Sequence, residues 1–166
     1  TLLAAPPKGL NRPPAGRRPV RLPAQAERVI TLWQLHLREA LPVGRPSPRL
    51  LNDFLRCRFT GRAGRMHPGL LPVLLTVARH FKVQEIHIVS AYRAPRFNHM
   101  LRKKLHEVAL RSRHLRGEAI DFLLPGIDPG DIARYLWRLR KGGVGYYPGS
   151  AFLHFDVGPV RRWKGT

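Results

Sequence analysis

Two short segments in the second half of the chain carry acids and a histidine within apolar runs, and their length and composition predict β-strands. The segments are EAIDFLL (118–124) and AFLHFDV (151–157). Side chains point alternately to the two faces of a strand, so His154 and Asp156 share one face of the second segment. In the first, Asp121 lies on the face opposite to Glu118. The pattern therefore predicts two strands, of which the first presents Asp121 from one face and the second presents His154 and Asp156 from one face.

The remaining elements are predicted from periodicity and from capping residues. Alternation from Val29 to Arg38 predicts a strand, and EIHIVS and GVGYY predict two more, with turns at PVGRPSP and PGS. Apolar residues at three- and four-residue spacing predict four helices, of which the first is capped by Ser47 and the fourth by Asp128. The predicted helices lie near 47–55, 67–81, 97–109 and 128–140. Because helices come first and strands cluster late, we expect an α+β fold with helices packed on a small, mainly antiparallel sheet.

The chain divides by composition into an arm and a single domain. Residues 1–25 contain six prolines, five basic residues and no acid, which predicts an extended basic arm. Residues 26–166 are long enough for one domain with its own core. Lys and Arg outnumber Asp and Glu by 30 to 10, for a net charge of +20, so we expect attraction to a polyanion. Nucleic acid, anionic lipid and an acidic cell-wall polymer all fit that charge.

Several site and protein classes are excluded by what the sequence lacks. A single cysteine, Cys57, excludes an intrachain disulfide framework and a multi-thiolate zinc site. No run of about 18 apolar residues occurs, so no transmembrane segment is predicted. The sequence begins at Thr1 without a charged segment followed by an apolar one, and any export signal is expected to be trimmed or absent.

A possible metal site follows from the loop before the first of the two strands. His114 lies in this loop, and Gly117 permits a tight, positive-φ path that brings His114 back beside Asp121. With His154 these residues make a His/Asp/His set, which leaves a fourth zinc position for water. Taken singly, each histidine is more often an ordinary surface or core residue, and this is the interpretation for His36, His67, His80, His87, His99 and His106.

Sequence motifs strengthen the metal hypothesis. SRHLRGEAIDF (112–122) resembles the S-x-H-x-x-G-x-A-x-D motif of the zinc D-Ala-D-Ala metallopeptidases, whose superfamily includes lysostaphin-type peptidases and hedgehog domains. Three further segments, in the same order as in the exported murein endopeptidase branch of that family, are similar to its motifs: SAYRAPRFNHMLR, GGVGYYPGS and FLHFDVGPVRRW. The likeness runs from about Val29 to Trp163.

This resemblance implies zinc on His114, Asp121 and His154, and a role for Arg93. A guanidinium beside the scissile amide could polarise its carbonyl and hold the oxyanion. Without the motif, Arg93 would be one basic residue among 30.

One departure from the family pattern concerns the general base. Many relatives have a Glu three residues, or a His two residues, before the last metal-binding histidine, where this chain has Ala151 and Phe152. Neither side chain accepts a proton. Asp156 is the nearby carboxylate that could replace the base, or it could instead orient His154 as a hydrogen-bond acceptor. The sequence leaves both roles open.

The resemblance implies a zinc-dependent peptidoglycan endopeptidase that acts on peptide stems in the periplasm or cell envelope, and we expect a monomer. Two alternatives remain: a carboxypeptidase that trims a terminal D-Ala, and a non-catalytic zinc module that binds the cell wall. A nucleic-acid-binding protein is a further rival on charge alone. Because no helix-turn-helix or aromatic-basic RNA motif occurs, we expect no nucleic-acid partner.

Overall fold

The computed structural model describes residues 29–104 and 109–165. The helices are α1 (Pro48–Phe54), α2 (Leu70–His80), α3 (Pro95–Lys104) and α4 (Pro129–Leu139). The strands are β1 (Ile30–Gln34), β2 (Glu39–Val43), β3 (Glu85–Ser90), β4 (Ala119–Leu123), β5 (Gly143–Tyr147), β6 (Phe152–Asp156) and β7 (Arg161–Lys164). The predicted arm lies outside the described residues, and the division into arm and single domain stays a prediction.

All seven strands form one sheet in the order β2-β1-β3-β4-β6-β5-β7. Four neighbouring pairs are antiparallel, whereas β1–β3 and β5–β7 are parallel. The α+β class is therefore confirmed, but the expectation of a small, mainly antiparallel sheet is wrong, because the sheet is mixed. The connection from β1 to β3 contains α1 and α2, and such a long crossover permits parallel pairing.

Two strands were missed by the sequence prediction. The predicted strand from Val29 to Arg38 ends at Gln34, where the chain turns through Arg38 at φ +56° and returns as β2. The second missed strand, β7, pairs in parallel with β5 after the predicted β5–β6 hairpin. Its sequence, RRWK, is too basic to show an apolar alternation.

The predicted helix caps are confirmed. The Ser47 hydroxyl accepts a hydrogen bond from the Leu50 N–H at 3.2 Å, and Asp128 accepts from the Gly130 N–H at 2.8 Å. Each cap satisfies a backbone donor that has no partner within its helix. The third helix was predicted to reach Ala109, and residues 105–108 of that prediction lie outside the described residues.

The hydrophobic core lies between one face of the sheet and the helices α2 and α4. The central strands contribute Ile86, Ile88, Ile120, Phe122, Leu153 and Phe155, and the helices contribute Leu74, Val77, Ile132 and Leu136. Because side chains alternate, the polar residues of β4 and β6 project from the other face of the sheet. In the described ranges, no helix has the length and apolar character needed to cross a membrane.

Candidate metal centre

The pairing of β4 with β6 brings two of the three predicted ligands, Asp121 and His154, together. Asp121 lies directly opposite His154 in the antiparallel register, and Ala119 lies opposite Asp156. Side chains of directly opposed residues on one face are close neighbours. Oδ1 of Asp121 is accordingly 2.8 Å from Nδ1 of His154.

His114 joins this pair from a short 3₁₀ turn, Arg113–Arg116, that precedes β4. Its Nε2 atom lies 3.1 Å from Oδ1 of Asp121 and 3.2 Å from Nδ1 of His154. The turn ends at Gly117, which has the predicted positive φ of +67°. The structure thus brings together the three residues that the sequence singled out as metal ligands.

Replacing Gly117 by alanine is expected to destabilise the protein by at least about 2 kcal/mol, because the left-handed conformation is strained and an added Cβ would overlap the backbone. That Cβ would lie 2.1 Å from the carbonyl oxygen of Arg65. The control is Gly126→Ala, where φ is +76° but no atom lies within 4 Å of the added Cβ. We expect the control to lose only about 1 kcal/mol in chemical denaturation. Equal losses would show that the contact with Arg65 is unimportant.

The hydrogen-bond partners of His114 fix where its proton lies. Nδ1 is 2.7 Å from the carbonyl oxygen of Ala91, which only accepts, so Nδ1 carries the hydrogen. Burial is the main reason that the pKa of His114 is lowered to about 4, and the ring is therefore neutral at pH 7. Nε2 consequently presents a lone pair toward Asp121 and His154.

A similar arrangement holds for His154. Its Nε2 lies 3.1 Å from Oδ2 of Asp156, so the Nε2 hydrogen is donated to this carboxylate and Nδ1 faces the other two ligands. Burial lowers the pKa of His154, but hydrogen bonds to Asp121 and Asp156 outweigh it and raise the pKa overall. A carboxylate behind a histidine that binds metal is a common way to fix its tautomer and orientation.

The three facing atoms fit a divalent cation. Around a tetrahedral zinc with bonds of about 2.0 to 2.1 Å, neighbouring ligand atoms are about 3.3 Å apart. The separations among His114 Nε2, Asp121 Oδ1 and His154 Nδ1 are 2.8, 3.1 and 3.2 Å. In the neutral form of both rings, three electron-pair donors converge on one point and repel one another. A cation between them removes that repulsion.

Arg93 contacts the other oxygen of Asp121. Its guanidinium forms an ion pair with Oδ2, and its Nε donates to the Ser90 hydroxyl at 2.9 Å. Burial of Asp121 opposes its ionisation, but His114 and Arg93 hold the pKa of its carboxyl well below the usual range. Asp121 is therefore a carboxylate, with Oδ1 directed at the histidines and Oδ2 held by Arg93.

Asp156 is fully buried and surrounded by donors. Besides His154, it accepts hydrogen bonds from Arg161 through both oxygens, at 3.1 and 2.7 Å, and from the Gly158 N–H at 2.9 Å. Nε of Arg113 lies 3.2 Å from Oδ1. Burial raises the pKa of Asp156, but the hydrogen bonds from His154, Arg161 and the Gly158 N–H together outweigh burial and lower the pKa below its usual range. Its proton affinity is correspondingly low.

Sequence reasoning missed Arg161 and Trp163, which reach the site from β7. The two glycines of β5 lie beside them in the register, with Gly143 next to Arg161 and Gly145 next to Trp163. A Cβ on Gly145 would lie 2.6 Å from the indole of Trp163, so glycine is required for this approach. The alternating glycines of GVGYY are the sequence signal that side chains of a neighbouring strand cross over β5.

The ligand cluster lies in a cavity of about 870 Å³ that Arg93, Phe152 and Trp163 also line. Glu118 lies outside the cluster, as predicted, and pairs with Arg113 and Arg116 at 2.7 and 2.8 Å. His106 lies outside the described residues. Asp121 and Asp156 are the two carboxylates among the described residues that line the cavity.

Comparison with known proteins agrees with this geometry. A family model described as peptidoglycan L,D-endopeptidase MepK matches residues 45–163. The probable peptidoglycan L,D-endopeptidase MepK of Haemophilus influenzae is 38% identical over 125 residues, which are 72% of this chain and 67% of the relative. Peptidoglycan L,D-endopeptidase MepK of Escherichia coli K12 is 34% identical over 145 residues, which are 82% of this chain and 80% of the relative. No solved structure matches the chain. The predicted resemblance is confirmed, and the chain belongs to the MepK family of peptidases, a branch of the D-Ala-D-Ala metallopeptidases.

Proposed function

We propose that this protein is a zinc-dependent peptidoglycan endopeptidase that hydrolyses peptide cross-links. The observation that carries the proposal is the convergence of His114 Nε2, Asp121 Oδ1 and His154 Nδ1 within 3.2 Å of one another on a cavity wall. The curated relatives are named peptidoglycan L,D-endopeptidases, and their names supply the substrate class.

The same three atoms would hold the metal, since two imidazoles and one carboxylate are a common ligand set for catalytic zinc. When bound, zinc supplies Lewis acidity that polarises the scissile carbonyl and lowers the pKa of water to about 7. The backbone carbonyl of Ala91 and the carboxylate of Asp156 keep the two rings in the tautomers that this requires.

For Arg93 the structure supports a role in orientation together with the predicted electrostatic role. Its ion pair with Oδ2 keeps Oδ1 of Asp121 turned toward His114 and His154. The guanidinium also lines the cavity beside the ligands, where its positive charge would stabilise a negative charge that develops on the scissile carbonyl oxygen.

Of the two roles left open for Asp156, the contacts favour orientation of His154. A general base needs a pKa near the operating pH and access to the proton that it removes. Asp156 has 0% exposure, is held by two arginines, and has a pKa below its usual range. We therefore propose that Asp156 positions His154 rather than accepting a proton from water.

The proposed substrate also suggests where and in what form the protein acts. Peptidoglycan stems carry carboxylates, which fits the charge of +20 and predicts weaker binding at high salt. The substrate lies in the periplasm or cell envelope, so we propose an exported protein. We propose a monomer, because one chain supplies all three candidate ligands.

Metal depletion and restoration on a purified cross-linked dimer of stem peptides tests this function. We expect chelation to stop hydrolysis and one equivalent of zinc to restore it, with mass spectrometry showing two monomeric products. Release of only a terminal D-Ala would identify the carboxypeptidase instead. Intact dimer in the presence of zinc-loaded, folded protein would favour the non-catalytic wall-binding module.

A further inference from the structure

Among the residues that the structure describes, the cavity around the candidate metal site is lined by more arginines than the neighbouring acids pair with. Its arginines are Arg58, Arg93, Arg111, Arg113, Arg116 and Arg161. Four of them form ion pairs with Asp121, Glu118 or Asp156. Within the two ranges that the structure describes, Arg58 and Arg111 form no ion pair. An unpaired cation in a substrate cavity is suited to bind an anionic group of the substrate.

Arg58 differs from Arg111 in being held in place. Its guanidinium lies over the ring of Phe97, 5.3 Å from the centroid, and its side chain is half-buried, whereas Arg111 is exposed. Phe97 is itself buried and belongs to a small apolar cluster with Cys57. This stacking reduces the number of conformations that Arg58 would lose on binding a ligand.

The backbone around Arg58 is fixed as well. Cys57 donates its N–H to the carbonyl oxygen of Arg62 at 2.9 Å, and Gly61 donates to that of Cys57 at 2.8 Å. The chain just before this turn is held to the loop that carries Arg93, since the Tyr92 N–H donates to the carbonyl oxygen of Leu55 at 3.2 Å. Arg58 is thus presented from a rigid turn next to the loop that carries Arg93.

The local electrostatics favour an incoming anion. Burial, followed by repulsion from Arg93, lowers the pKa of Arg58, while attraction from Asp121 opposes this. Arg58 therefore lies close enough to Arg93 and to the candidate ligand Asp121 for their charges to change its pKa. A carboxylate placed beside Arg58 would relieve the repulsion between the two guanidiniums.

The chemistry of an L,D cross-link indicates which anion this is, and here the inference rests on the proposed function. The scissile amide joins the carbonyl of an L-centre to the nitrogen of a D-centre. In a cross-link through a diamino diacid, the D-centre carbon also bears a carboxylate, which is only a few bonds from the amide. We propose that Arg58 binds this D-centre carboxylate and so selects cross-links in which it is a free acid.

The test compares two cross-linked dimers that differ only at this position, one with the free carboxylate and one with the primary amide. For Arg58→Gln we expect kcat/KM on the free acid to fall about 10- to 100-fold, the range for loss of a charge-assisted hydrogen bond. On the amide we expect less than about a threefold change from wild type. Arg58→Lys keeps the charge but loses the planar fork, so its kcat/KM on the free acid should lie between the values for wild type and Arg58→Gln.

Arg49→Gln is the matched control, because Arg49 is exposed on α1 and its loss changes the net charge by the same amount. It should leave both substrates within about twofold of wild type. An equal loss on both dimers for Arg58→Gln, or no loss on either, would overturn the inference. The inference would also be overturned if the effect of Arg58→Gln on kcat/KM disappeared when only the C-terminal carboxylate of the dimer is amidated, because Arg58 would then bind that carboxylate.

A binding measurement separates this inference from the proposed function. Two dimers with the scissile amide reduced to a methyleneamine cannot be hydrolysed, and calorimetry on the zinc-loaded protein gives their affinities. We expect wild type to prefer the free acid by at least about tenfold and Arg58→Gln to show no preference. That result without any hydrolysis of normal dimers would contradict the proposed function alone. Equal affinities for wild type would overturn the assignment of Arg58, whether or not the protein hydrolyses cross-links.

Discussion

His114→Ala is expected to lose stoichiometric zinc and to slow hydrolysis of a cross-linked dimer by more than about 1,000-fold, since without metal the pKa of water returns from about 7 to 15.7. Nε2 of His114 is one of three candidate ligand atoms. The His114 side chain is 2% exposed and is more deeply buried than that of His154, which is 12% exposed. Zinc content by elemental analysis and initial rates by chromatography are the two measurements.

His99→Ala is the matched control for this prediction, because it removes the same side chain from an exposed position on α3. We expect it to keep one zinc and the wild-type rate. Near-normal hydrolysis by a folded His114→Ala protein would contradict the assignment of His114 as a ligand. Circular dichroism and the melting temperature, measured on each variant, identify any loss that comes from unfolding.

Asp156→Asn is expected to weaken zinc affinity about 10- to 100-fold, the usual effect of removing the carboxylate behind a metal-binding histidine. The amide keeps one acceptor but loses the charge that His154, Arg161 and Arg113 share. Because Asp156 is proposed to act through His154, hydrolysis should recover when zinc is added to saturation. Competition with a chromophoric chelator gives the affinity, and a zinc titration of the rate gives the recovery.

Glu118→Gln provides the comparison for Asp156→Asn. Glu118 also pairs with Arg113, but it lies outside the ligand cluster. Its replacement should leave zinc affinity within about threefold of wild type. If Asp156→Asn instead binds zinc normally and remains inactive at saturating zinc, Asp156 is the general base, and the orienting role proposed here is wrong.

Local rules were sufficient to predict the parts of the site that depend on alternation and on single turns. The common face of His154 and Asp156 follows from the period of a strand, and Gly117 marks the turn that returns His114 to β4. Which strands pair, however, depends on contacts distant in sequence. The register that sets Asp121 opposite His154 could not be derived from either strand alone.

The surroundings of Asp156 show why its role could not be predicted. Its pKa depends on hydrogen bonds from His154 and from Arg161, which reaches it from β7. The contact with Arg161 is visible only when β7 is known to lie beside β5. From the sequence alone, Asp156 was an unpaired acid near a metal ligand, and a general base was then as reasonable as an orienting group.

The position of zinc in crystals of the zinc-loaded protein, located by anomalous scattering, tests the proposed centre most directly. We expect one peak per chain, about 2.0 to 2.2 Å from Nε2 of His114, Oδ1 of Asp121 and Nδ1 of His154. A fourth position should open toward the cavity that Arg58 and Arg93 line. A peak bound by other residues, or no peak in protein that hydrolyses cross-links, would contradict the proposal that these three side chains form the catalytic metal site.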